Sequence, residues 1–150
     1  MTAAVVLVSG LVAVVAAAAT FRWRYIVVTV RGDSMSPVLD NGSVVLVRRG
    51  NRCATGDIAL LRLTGDLDRM VKQVAATPGD LVPAGYPIPP GTVVPPGQLL
   101  VRGTTDGSYD SRRIGYVAAG SLVGIVRRRL RTPPGTVAAE SDHIERNSSA

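Results

Sequence analysis

From Tyr25 onward, no apolar stretch of this chain runs far enough to sustain a long helix. Each Val-rich run is cut after a few residues by Gly, Pro, Asp or Asn. Short β-branched runs bounded by turn residues are the pattern of strands. Six such segments stand out, at 25–30, 43–48, 58–63, 69–76, 98–102 and 121–129. Sixteen glycines and ten prolines supply the turns, Thr64-Gly65-Asp66 among them. The Pro/Gly-rich connector 83–97 is too broken for a regular element. Aromatic residues make up only 4% of the chain, so the core is expected to be built from Val, Leu, Ile and Ala. From Arg131 the sequence turns Ser/Thr/Pro-rich and polar, which predicts a disordered tail over 131–150. The expected fold is mainly β, one small domain of short antiparallel strands over 22–130.

Ahead of that domain lies Ala3–Thr20, an uncharged run followed at once by Phe21-Arg22-Trp23-Arg24-Tyr25. As a helix, its eighteen residues span roughly 27 Å, close to the thickness of a hydrocarbon core. Trp23 and Tyr25 beside two arginines have the make-up of an interfacial belt. Residues 1–21 are therefore expected to form one N-terminal transmembrane helix. A cleaved signal peptide is an alternative, since Ala17, Ala18 and Ala19 offer small residues for cleavage, but a basic n-region is missing. A buried core helix fits least, because almost no polar residue is present to make a solvent face. Charges after the run and none before it favour a cytoplasmic C-terminal side, although whole domains translocate despite such a bias.

The formal net charge is +6, and 21–130 holds fifteen Arg/Lys against eight Asp/Glu. A basic balance suits nucleic acid or an anionic membrane surface. The aromatic platforms of a single-strand binder are missing, so no nucleic acid is expected and the lipid bilayer is the expected neighbour. A single cysteine, Cys53, excludes an internal disulfide and a Cys-rich metal site. Neither metal nor cofactor is expected. The cations narrow the chemistry further. Lys72 is the only lysine among seventeen Lys and Arg, and His143, in the polar tail, is the only histidine.

Arg31-Gly32-Asp33-Ser34-Met35-Ser36-Pro37-Val38-Leu39 follows the first strand and precedes an Asp/Asn/Gly turn. A serine at a strand end, with glycine before it and proline after, suits a positioned nucleophile; an ordinary strand-to-turn junction collects the same residues. A serine nucleophile needs a base. His143 has no hydrophobic frame around it, and arginine stays protonated at any accessible pH. Lysine can serve where burial disfavours its ammonium form. Lys72 lies inside an apolar strand, between Val71 and Val74, although a solvent-facing position beside Arg69 and Gln73 is open to it as well.

Three stretches in order carry a resemblance. Asp33-Ser34-Met35-Ser36-Pro37-Val38-Leu39 resembles the Ser-Met-x-Pro-Thr-Leu box of the type I signal peptidases, a serine–lysine peptidase family. Met70-Val71-Lys72-Gln73-Val74, closely followed by Pro78-Gly79-Asp80, is similar to their lysine box. Gly103, then Ser108-Tyr109-Asp110-Ser111-Arg112 and Gly115-Tyr116-Val117, resembles the third box. The likeness covers roughly 25–129. It implies a signal-peptidase-like β fold on an anchor, with Ser34 as nucleophile, Lys72 as general base and Ser108 orienting the lysine amine. Asp110 and Arg112 would form a supporting ion pair. Met35 follows the nucleophile in its box, and Gly32 stands where some relatives carry an oxyanion-stabilising hydroxyl, leaving the Ser34 N–H as donor. Val38, Gln73 and Thr104-Thr105 depart from the family pattern without removing a catalytic group.

The expectation is a plasma-membrane, single-pass serine endopeptidase with its catalytic domain outside the cytoplasm. Its partners would be membrane-bound preproteins or leader peptides, bound as an added strand and cut after Ala-x-Ala-like sites. Two alternatives stay open. One is a self-cleaving repressor-type serine–lysine protease, against which the anchor and the Ser108–Arg112 box speak. The other is a non-catalytic, membrane-anchored β-domain that binds a partner.

Overall fold

The computed structural model describes residues 2–62 and 69–132, with the side chains of the N-terminal helix described from Gly10 onward. The expected turn at Thr64-Gly65-Asp66, residue 63 of the third strand, and the tail from 133, including His143, lie outside the described residues. Helix α1 covers Thr2–Arg24. Seven strands follow: β1 (Tyr25–Thr29), β2 (Val44–Arg49), β3 (Ile58–Arg62), β4 (Arg69–Ala76), β5 (Gln98–Arg102), β6 (Val117–Ala118) and β7 (Leu122–Arg131). They form one sheet in the order β1-β2-β7-β3-β4-β5-β6, and every pairing is antiparallel. The mainly β architecture expected from the punctuation is what the chain adopts.

The transmembrane helix expected over 1–21 is not found: among the described residues no helix is long and apolar enough to cross a membrane. Helix α1 ends at Arg24, three residues beyond the expected anchor boundary, and passes without a linker into β1. Strand β7 runs to Arg131, into the first residue of the expected tail. Three elements were not anticipated: the two-residue β6, the one-turn helix α2 (Ser111–Ile114) and the 3₁₀ turn Ala119–Ser121, where a strand was expected to begin. None is long enough to show a period in sequence. Helix α2 forms because the Asp110 carboxylate caps it, accepting the Arg112 N–H at 3.0 Å. The 83–97 connector contains no helix or strand, as expected; Leu81 and Val93 make an isolated bridge across it.

The core is aliphatic. One cluster gathers Val30, Met35, Leu39, Val45, Val47 and Leu60; a second gathers Ala59, Leu61, Val74, Leu99, Val101 and Leu122. Burying each Val or Leu contributes roughly 1.5–3 kcal/mol. β4 lies where these two meet, Val71 packing on the first cluster and Val74 in the second. That placement makes β4 the strand from which a side chain reaches the site.

Candidate active site

β1 delivers the chain to Val30, whose N–H donates to the Ser43 carbonyl at 2.8 Å and whose side chain is buried. Gly32 then turns the backbone at φ +85°, a conformation L side chains rarely adopt, and its N–H meets Asn41 Oδ1 at 3.2 Å. The next residues form a tight turn, with the Ser36 N–H on the Asp33 carbonyl (3.0 Å) and the Leu39 N–H on the Met35 carbonyl (2.7 Å). Met35 and Leu39 are driven into the first core cluster, 1% and 3% exposed. Two buried apolar plugs on one turn fix the serine that precedes them. Thr104 straps the turn from outside. Its N–H donates to the Ser34 carbonyl (2.9 Å) and its hydroxyl to the Ser36 carbonyl (2.6 Å). Among the described residues, the Ser34 N–H has no acceptor.

Lys72 lies in β4 opposite Ala59 of β3, in the buried alternation Lys72, Val74, Ala76. The side chain is 4% exposed. Its Nζ lies 2.8 Å from Ser34 Oγ and 2.7 Å from Ser108 Oγ. Burial lowers the Lys72 amine from the ordinary lysine value; the Asp110 carboxylate opposes that, and the Arg112 guanidinium reinforces it. In its neutral form a lysine held this way offers a lone pair to one hydroxyl and an N–H to the other.

Behind Ser108 stands Asp110, fully buried. Burial alone would raise its carboxyl. Hydrogen bonds outweigh it: the Arg112 side chain, the Gly103 N–H at 2.7 Å, the Arg112 N–H and the Ser108 hydroxyl hold it well below the usual carboxylate range. Arg112 Nη2 pairs with Asp110 at 2.8 Å and reaches the Thr105 carbonyl at the same distance. Ser111 Oγ accepts the Val101 N–H at 2.9 Å, stitching α2 to β5. The loop that carries Ser108 is thereby fixed at both ends.

Of the residues singled out from sequence, Ser34, Lys72 and Ser108 stand in direct contact, and Asp110 with Arg112 forms the layer behind them. Met35 supports the turn from the core, and Gly32 presents no side chain. Sequence reasoning placed Gly103 in the third box and noted Thr104 as a departure from the pattern, but gave neither a role. A Cβ built on Gly103 would collide with Ser108 Oγ and lie 2.5 Å from the Ser34 carbonyl and 2.6 Å from Ser108 Cβ. Only hydrogen fits there. Gly103→Ala is therefore expected to push Ser34 and Ser108 apart. Misplacement of that order lowers kcat/KM about 100-fold, and overpacking costs about 1–3 kcal/mol of stability, measured by peptide cleavage and thermal unfolding.

Two clefts open beside Ser34. One, about 490 Å³, is lined by Asp33, Ser34, Met70, Lys72, Ser108 and Tyr109 among others. The other, about 240 Å³, lies between the exit of β1 and the start of β4. A larger cleft of about 570 Å³, on Gln73, Tyr86 and Arg102, touches neither Ser34 nor Lys72. No group of His, Cys, Asp and Glu among the described residues could hold a metal ion.

A serine hydroxyl facing a buried lysine is the arrangement that serine–lysine peptidases use for nucleophilic catalysis. Residues 13–82, which contain both Ser34 and Lys72, match the model of the Peptidase S24-like family. The match fits the serine–lysine peptidases, which include signal peptidase I, and it supports a serine protease in general. It does not separate a signal peptidase from a repressor-type peptidase. No curated protein matches the chain.

Proposed function

We propose that this protein is a membrane-anchored serine endopeptidase that removes signal or leader peptides after small residues, using Ser34 and Lys72. The observation that carries the reading is the buried Lys72 amine 2.8 Å from Ser34 Oγ. Neutral Lys72 takes the Ser34 proton as Oγ attacks the scissile carbonyl carbon. The tetrahedral oxyanion is met by the Ser34 N–H. Collapse breaks the C–N bond, Lys72 hands its proton to the leaving amine, and an acyl-enzyme ester remains. Water, deprotonated by Lys72, then hydrolyses the ester. Ser108 holds the amine in line, and the Asp110–Arg112 pair holds Ser108. With Gly32 in place of a hydroxyl, the oxyanion lacks a side-chain donor there, a contribution worth about 3 kcal/mol where present.

The substrate is an extended segment. Residues 69–72 of β4 pair with β3 on one side only, since β5 pairing begins at Gln73, and β1 is an edge strand. The 240 Å³ cleft lies between these two edges, which suits a peptide added by main-chain hydrogen bonds.

The anchor reading rests on α1. Leu11, Val12, Val14 and Val15 are all exposed, as is every residue from Gly10 to Arg24. Exposed apolar side chains in such a group suit contact with lipid. Phe21 and Tyr25 stack at 4.8 Å beside the exposed Trp23 where the helix ends. β2 and β7 carry six arginines and no acid, a charge that suits an anionic bilayer surface. The reading places the catalytic domain outside the cytoplasm, where preproteins emerge. A second reading, self-cleavage of the repressor type, is favoured only by the breadth of the S24-like match. It predicts shortening of the purified chain on incubation alone.

The test is incubation of the full chain in detergent with a preprotein bearing an Ala-x-Ala site, reading the new N-terminus by mass spectrometry. Cleavage should follow the second small residue. A preprotein left intact would sink the proposal. The pH profile is specific as well. Lys72 acts in its neutral form, so kcat/KM rises with pH through its lowered pKa and fades on the acid side. Activity that stays flat down through mildly acid pH excludes a lysine base.

A further inference from the structure

Resting on the peptidase reading, we infer that Arg31 and Arg69 select an acidic side chain at the residue between the two small ones preceding the cut. Both arginines line the 240 Å³ cleft that touches Ser34, and both are exposed. The rest of that cleft divides by chemistry. Val30 and Met35 are buried, and Val28 and Val71 pack against the same core cluster, which gives an apolar floor. Among the described residues, none that lines it is acidic. Arg31 follows directly from the edge strand, and Arg69 opens the half of β4 whose second edge is unpaired by β5. One guanidinium therefore stands at each bank of the slot.

Strand geometry assigns the positions. Successive side chains of an extended peptide point to opposite faces, so two small residues two apart lie on the apolar floor together. The residue between them points the other way, toward the mouth that the arginines flank. A carboxylate there gains from two cations, and an ammonium is repelled by both. Each such exposed interaction is modest, so the two together give roughly a tenfold preference for Asp over Lys, with a neutral side chain between. The acidic Asp33 lines the neighbouring 490 Å³ cleft, so the preference belongs to this cleft alone.

The experiment uses full-length protein in a non-ionic detergent and three otherwise identical peptides, with Asp, Gln or Lys between the two alanines. The expected order of kcat/KM is Asp, Gln, Lys, with the tenfold spread collapsing as salt is raised. In the double variant Arg31→Glu/Arg69→Glu the order reverses; ratios between peptides are read, so a change in overall activity does not enter. Equal rates on the three peptides, or an unreversed order in the variant, overturn the charge selection while leaving the peptidase reading intact. Failure of the wild-type protein to cut any of the three, or the preprotein, overturns the peptidase reading and this inference with it.

Discussion

Lys72→Arg is expected to lower kcat/KM by about 10⁴-fold or more while the domain stays folded. The substitution keeps the positive charge and much of the stem but removes the lone pair, because a guanidinium does not deprotonate at accessible pH. Ser34→Ala should reach a similar floor, since the two act as one unit and either loss removes the covalent route. The double variant should then be no worse than either single one. Circular dichroism and thermal unfolding check the fold, and peptide cleavage with single-turnover kinetics reads the chemistry. Normal cleavage by either variant means that the pair 2.8 Å apart is not the dyad.

The second large effect concerns stability. Asp110 is fully buried and takes the Gly103 N–H, the Arg112 N–H, the Arg112 guanidinium and the Ser108 hydroxyl. Asp110→Ala strands all four donors. Breaking a buried pair costs about 3–5 kcal/mol, and because Arg112 keeps part of its guanidinium in solvent the lower end, about 3 kcal/mol, applies. For a domain of this size that lowers Tm by roughly 10 °C or more. The acid limb follows from the sign of the shift. The folded carboxyl titrates below its unfolded value of about 3.9, so its stabilisation is complete above that pH and is lost as pH falls beneath it. Asp110→Asn should therefore show a shallower loss of stability than wild type between pH 5 and pH 2, by the same unfolding assay. Parallel curves would mean that Asp110 is not the group responsible.

Much of this was legible in the chain. Val-rich runs closed by Gly, Pro and Asp mark β3, β4 and β5 to within a residue, because β-branched side chains and turn formers act locally. The lone lysine among sixteen arginines, set between Val71 and Val74, marked its own position. The remainder depends on contacts across the fold. Nothing in the spacing of Gly103 and Thr104 announces that one must lack a side chain so that Ser34 and Ser108 can meet, or that the other straps the Ser34 turn over a separation of 70 residues. Helix α2 is a single turn that exists because Asp110 caps it, and one turn carries no periodicity. Arg31 and Arg69 look like ordinary charged strand ends until the slot between β1 and β4 brings them to one cleft.

The most direct measurement uses the fact that Lys72 is the chain's only lysine. Labelling the lysine side chain with ¹⁵N and ¹³C gives one ε-resonance, and its NMR titration reads the Lys72 pKa without assignment. The expected midpoint lies below the ordinary lysine value of about 10.4 and coincides with the acid limb of kcat/KM. A midpoint at the ordinary value, or a kinetic limb at a different pH, would contradict a neutral Lys72 acting as the base for Ser34.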